Sequence, residues 1–225
     1  MTNITSPYEY QTLSRKSING SRLYNNPWGD PVPSVTTILD KTKPQASRDA
    51  LNAWRKRVGT KEATRITTEA ADTGTYMHSI LEYWVLNKVY EGKASPQSRL
   101  MANTVIKNIE PDLDEVWGSE INLCAPNLYA GTADLIGVWK GNPCIMDFKQ
   151  TNKPKKREWI NDYFMQGAAY ALAHNELYDT DIKNIAIFMC SRDCQWQLFE
   201  VNEKEFPQWA EQWALRVAQF YELTA

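Results

Sequence analysis

The sequence predicts a single mixed α/β (α+β) domain, with a helical N-terminal half followed by a sheet flanked by helices. Three observations carry this reading. Apolar residues recur at helical spacing through the first half of the chain. From Ser119 the pattern changes to alternation and short β-branched runs, and one helical stretch then separates three strand-like segments from two more. A length of 225 residues suits one domain, with room for an appended arm. With 43% hydrophobic and 23% charged residues, the chain can bury an ordinary core.

Residues 1–33 are polar and carry turn chemistry at Asn25-Asn26-Pro27 and Trp28-Gly29-Asp30-Pro31. They read as an irregular arm with room for one short hairpin, and residues 34–225 as the domain itself. Ser34 is placed to cap a helix through Leu39. A second helix covers 47–58 and stops at Gly59. A third runs from 61 to 89, with Met77, Ile80, Leu81, Trp84 and Val85 on its apolar face, and a fourth covers 97–110 ahead of Pro111. Strands follow at 119–124, 130–139 and 144–150, the last two joined through Gly141-Asn142. A helix over 157–175 precedes strands at 184–190 and 196–201. The final helix opens on Asn202 and Glu205, a capping arrangement, and continues to Tyr221.

Composition excludes several function classes. The formal charge of −2 advertises no polyanionic partner through a global field, so any nucleic-acid binding has to come from local patches. No apolar run approaches the roughly 18–20 residues of a membrane helix. The opening MTNITSPYEYQTLSRK lacks the apolar stretch of a secretory signal, so a cytoplasmic location is expected. Cys124, Cys144, Cys190 and Cys194 form no Cys-x-x-Cys pair and read as reduced thiols filling strands. Two histidines, His78 and His174, are too few for a polyhistidine metal site.

Chemistry concentrates in Gly131-Thr132-Ala133-Asp134 and Ile145-Met146-Asp147-Phe148-Lys149. Alternate strand residues share a face, so Asp147 and Lys149 point one way and Phe148 the other. A hairpin brings the Asp134 carboxylate beside that of Asp147. Two adjacent carboxylates repel, and a divalent cation with oxygen ligands, magnesium or manganese, relieves them. The same spacing also fits a cross-strand Asp–Lys–Asp salt bridge on a solvated sheet face. Gln166 and Tyr170 share one face of the following helix. His78 lies mid-helix after Gly74-Thr75, with Glu82 one turn on; it suits either packing or metal ligation. Glu120 is either a further cleft carboxylate or an edge-strand charge.

Taken in order, GTAD (131–134), IMDFK (145–149) and QGAAY (166–170) resemble the core motifs of the PD-(D/E)XK nuclease superfamily. The histidine helix TGTYMHSILE (73–82) and the glutamate strand SEINL (119–123) resemble its RecB-type exonuclease branch. With PSVTTIL (33–39), the likeness is greatest to exonucleases of the mitochondrial genome maintenance type and their phage and bacterial relatives. It spans roughly residues 33–202 by motif order. The resemblance implies a restriction-endonuclease-like core with a central mixed sheet. It implies a metal site of Asp134, Asp147 and the backbone carbonyl of Phe148, joined by His78 and with Glu120 as auxiliary acid, holding Mg²⁺ or Mn²⁺. Lys149 would be the catalytic lysine, with Gln166 and Tyr170 against site and substrate. The cysteine spacing of relatives that carry an iron–sulfur cluster is missing here, so no cluster is expected. Single-stranded DNA is the implied partner, attacked from its ends beneath a helical arch.

Local positive charge for phosphates is expected from Lys153, Lys155, Lys156 and Arg157, just after the catalytic strand. Trp54, Arg55, Lys56 and Arg57 form a second basic–aromatic cluster. Competing readings are a structure-specific or restriction-type endonuclease, a non-catalytic nucleic-acid-binding protein with the same fold, and a structural domain whose Asp–Lys pairs are salt bridges.

Overall fold

Residues 2–18 and 21–224 are described by a computed structural model of the chain. The N-terminal arm holds the expected hairpin, β1 (Arg15–Ile18) and β2 (Ser21–Tyr24), which adds the two-residue β3 (Val32–Pro33) as a third antiparallel strand. Helices α1 (Val35–Lys41), α2 (Gln45–Val58), α3 (Thr60–Val85) and α4 (Pro96–Ile109) complete the first half. Ser34 caps α1 as expected, its hydroxyl accepting the Thr37 N–H at 3.0 Å. Helix α3 ends at Val85, short of the expected residue 89. Asn87 there adopts a left-handed φ of 54°, which asparagine tolerates and a helix does not continue through.

The second half begins with β4 (Leu113–Ala125), earlier than the expected residue 119. Register shifts at Leu113/Glu115 and Val116/Gly118 break the alternation that would have marked its start. β5 (Tyr129–Trp139) and β6 (Asn142–Thr151) follow antiparallel. A 3₁₀ turn over Arg157–Trp159 then leads to α5 (Asn161–Tyr178), where the sequence suggested continuous helix from 157. β7 (Asn184–Ser191) pairs parallel with β6, β8 (Trp196–Val201) pairs antiparallel with β7, and α6 (Phe206–Thr224) closes the chain. The sheet is therefore mixed and runs in chain order, β4-β5-β6-β7-β8.

Alternation along β6 separates two cores. Ile145 faces α5 and α6 with Ile136, Ile185, Phe164 and Trp213. Met146 and Phe148 face α3 and α4 with Leu135, Phe188, Met77 and Met101. Helix α5 lies between the sheet and α6 and buries residues on every side, the behaviour of a helix apolar all round. The four cysteines are unpaired, three of them buried. Among the described residues, no helix is long and apolar enough to cross a membrane.

Candidate active site

The site forms where β5 and β6 part. Their pairing runs from Trp139↔Asn142 to Leu135↔Met146 and stops there. Asp134, one residue beyond, accepts the Phe148 N–H on Oδ2 at 2.9 Å, so its side chain replaces a ladder partner. On the same stretch of β6, Asp147 points toward α5 and is 2% exposed, and neither of its oxygens accepts an ordinary hydrogen bond. The Lys149 ammonium is in ion-pair contact with its Oδ2. Burial pushes the Asp147 carboxyl up, against the pull of Lys149. Burial alone would lower Lys149, but the Asp147 and Asp134 carboxylates outweigh it and hold the ammonium charged. The Tyr163 ring lies 4.9 Å from Lys149 Nζ and completes its enclosure. A solvated salt bridge does not describe this pair: a buried carboxylate short of donors costs several kcal/mol unless cations face it.

Helix α3 supplies the opposite wall. His78 Nδ1 stands 3.5 Å from Asp134 Oδ2, its ring edge-on to Phe148. Glu120, on β4, holds a positive φ of 54°, a conformation that costs on the order of 1 kcal/mol or more for a side chain of this kind. Though Glu120 is exposed at the cleft mouth, its carboxyl is pushed up to about 7, first by loss of surrounding water within the cleft and then by Asp134 and Glu82. One ligand-capable atom each from His78, Glu120 and Asp134 lie within 4.8 Å of one another. An imidazole and two carboxylates in that space, one on a strained backbone and with its proton affinity raised, suit a divalent cation. Asp147 stands outside this triplet, engaged by Lys149, and Phe148 meets the site through its N–H to Asp134.

The remaining wall comes from α5. Gln166 Nε2 donates to the Tyr170 hydroxyl at 3.2 Å, and the Tyr170 ring packs on Gly131. A Cβ at Gly131 would sit 2.6 Å from Tyr170 Cε1, which explains why the first motif opens on glycine. These walls enclose an open cleft of about 570 Å³. The basic run after β6 does not line it. Lys153, Lys155 and Lys156 are exposed, Lys156 lies over the Trp159 ring, and the Lys155 backbone pairs with Gln197. Arg157 is engaged by Glu205 at 3.0 Å and by the Glu200 carbonyl. Arg15 and Arg22 of the hairpin line the cleft instead, and sequence reasoning did not single out either.

An aspartate where two strands part, an Asp-x-Lys on the next strand and a Gln-x-x-x-Tyr helix above them define, on this mixed sheet, a PD-(D/E)XK-like protein. The curated relatives are named as exonucleases. Over 172 residues the chain is 26% identical to mitochondrial genome maintenance exonuclease 1 of Xenopus tropicalis, covering 72% of this chain and 49% of that protein. Over 138 residues it is 27% identical to the Mus musculus protein of the same name, covering 55% of this chain and 38% of that one. The chain thus matches half or less of the length of these relatives. No family model matches it. A solved "Putative exonuclease" from Eubacterium rectale overlays with a TM-score of 0.46 at 13% identity, over 68% of this chain and 66% of that one, too loosely to add weight.

Proposed function

We propose that the chain is a metal-dependent deoxyribonuclease of the RecB-type branch that hydrolyses phosphodiester bonds from the ends of single-stranded DNA. The observation that carries this reading is the His78–Glu120–Asp134 triplet set directly beside the buried Asp147–Lys149 pair. Mg²⁺ or Mn²⁺ is the ion the donors suit, held by Asp134, Glu120 and His78, with Asp147 and the Phe148 carbonyl as further oxygen ligands. When bound, such an ion neutralises phosphate charge and acidifies a water molecule. The chain's own groups do the rest. The Lys149 ammonium, kept charged by its carboxylates, faces the negative charge that builds on the phosphoryl oxygens. Asp147 fixes its position, and the Gln166–Tyr170 wall confines the substrate. A strand end would enter through the cleft lined by α3, β5 and the hairpin.

The test uses end-labelled linear and circular single-stranded DNA, with and without Mg²⁺. Linear substrate should be digested from its ends only with the metal, and the circle should survive. Lys149→Ala and Asp147→Asn should each lose at least about 100-fold in kcat while remaining folded. Full turnover by either folded variant overturns the assignment of these residues. Equal cutting of the circle makes the protein an endonuclease, and no turnover with any divalent cation makes it a non-catalytic binder.

A further inference from the structure

The cleft holds two guanidinium groups that the hydrolytic site does not use. Hairpin register pairs Arg15 with Tyr24 and Ser17 with Arg22, which puts these four side chains on one face. That face looks into the cleft and is tied to β5: the Tyr24 hydroxyl lies 3.1 Å from Thr132 Oγ1, two residues before Asp134. The backbone of Arg22 is held too, its N–H donating to Thr37 Oγ1 at 3.1 Å and its carbonyl accepting the Ser34 N–H at 2.8 Å. Among the described residues, neither Arg15 nor Arg22 has a carboxylate within ion-pair distance. Both side chains are exposed cations on an anchored hairpin, aimed at a floor that carries Glu82, Glu120 and Asp134.

The arrangement continues outward. Arg22 and Thr36 line both the cleft and an adjoining hollow of about 220 Å³, and Lys41 lines that hollow beside Asp40. A nucleic-acid strand presents a series of phosphates, and an ion on the acidic floor compensates only the one beside it. Its neighbours in the strand need cations of their own, and guanidinium matches phosphate oxygens in a two-pronged fashion. We propose that the β1–β2 hairpin is a backbone clamp, with Arg15, Arg22 and then Lys41 holding the phosphodiesters that flank the one at the acidic floor. The clamp rests on the nuclease reading of the cleft and supplies the anion track of its substrate.

The experiment measures binding of a fluorescein-labelled oligothymidylate by anisotropy, across a salt series, with Ca²⁺ replacing Mg²⁺ to suppress turnover. Arg15→Ala and Arg22→Ala should each weaken binding about 10-fold or more and flatten the slope of log K against log salt by about 0.7. Arg22→Lys should keep the slope while losing part of the affinity. Lys107→Ala, on exposed α4 surface, should leave the slope unchanged. With Mg²⁺, both alanine variants should raise KM several-fold with little change in kcat. Unaltered affinity and slope in both, or an equal slope change in Lys107→Ala, overturns the clamp. Turnover by the unsubstituted protein reports on the nuclease reading separately, because the salt slopes are read without it.

Discussion

The chain's two histidines both lie within long helices, and their surroundings give them opposite uses. His78, on α3, opens to a cleft and faces a carboxylate, with a second carboxylate in ligand range. His174, on α5, is fully buried among the rings of Tyr8, Tyr10, Trp117 and Tyr178. Its partners are hydroxyls, Thr180 Oγ1 on Nδ1 at 2.8 Å and the Tyr10 hydroxyl on Nε2 at 3.2 Å. The Thr180 proton is already given to Asn175 Oδ1, so Nδ1–H of His174 donates to Thr180. Nε2 is then left to accept from Tyr10. Every valence of the neutral ring is satisfied, and the ring serves to fasten the N-terminal arm to α5. A ring nitrogen facing anions can hold a cation; one facing hydroxyls inside an aromatic cage packs.

That contrast can be broken by exchanging readouts. His78→Ala should reduce nuclease turnover by about 100-fold or more, as loss of a metal-site group does. Its half-exposed site should keep folding stability within about 0.5 kcal/mol. Single-turnover cleavage and a thermal melt on one preparation check both halves, and unchanged cleavage would remove His78 from the site. His174→Ala should show the converse: a loss of about 3 kcal/mol in urea unfolding from the emptied cage and its unsatisfied hydroxyls, with kcat per folded molecule within about threefold. Loss of turnover at full stability in that variant would erase the distinction.

The parts of the molecule that could be read beforehand are those where one periodicity holds without interruption. β5, β6 and α5 lie close to where alternation and helical spacing put them, and the opposed faces of Asp147 and Phe148 follow from the pleat alone. Glu120 could be nominated, but not its left-handed backbone, because nothing in SEINL requires a positive φ. The start of β4 was hidden by bulges that scramble alternation. Charge was legible as residues and illegible as pairs: the Lys153–Arg157 run stands out in the sequence, yet Arg157 is spent on Glu205 and Glu200. Arg15 and Arg22 look like ordinary arm charges until the strand register turns them to one side. The Asn-Gly dipeptide at 19–20, a hairpin signal, was the clue available.

Acidity sharpens the comparison by a smaller amount. Burial lowers the His174 pKa from 6.5 to about 4. Between those values the unfolded chain takes up a proton that the folded chain refuses, so stability falls as pH falls through that window. By pH 5 this loss should reach about 2 kcal/mol. Other groups titrate in the same range, so the quantity to measure is the difference in unfolding free energy, from urea titrations, between the unsubstituted protein and His174→Phe. That gap should narrow by this amount from pH 7 to pH 5; a constant gap would show that the ring titrates alike in both states.

Smallest of all should be Tyr10→Phe, which keeps the ring in the cage and removes only the hydroxyl. Burial raises the Tyr10 pKa, so its O–H stays protonated and available to Nε2 at every pH of interest. Its removal should cost about 1 kcal/mol at pH 7, the net value of one buried hydrogen bond. Because that donor favours the neutral imidazole, its loss makes protonation of His174 easier and should shrink the pH-dependent part of the stability. A Tyr10→Phe protein as stable as its parent at pH 7 and equally sensitive to acid would mean that packing alone fastens the arm. The hydroxyl pair would then contribute nothing to the neutrality of His174, and burial by the surrounding rings would have to account for all of it.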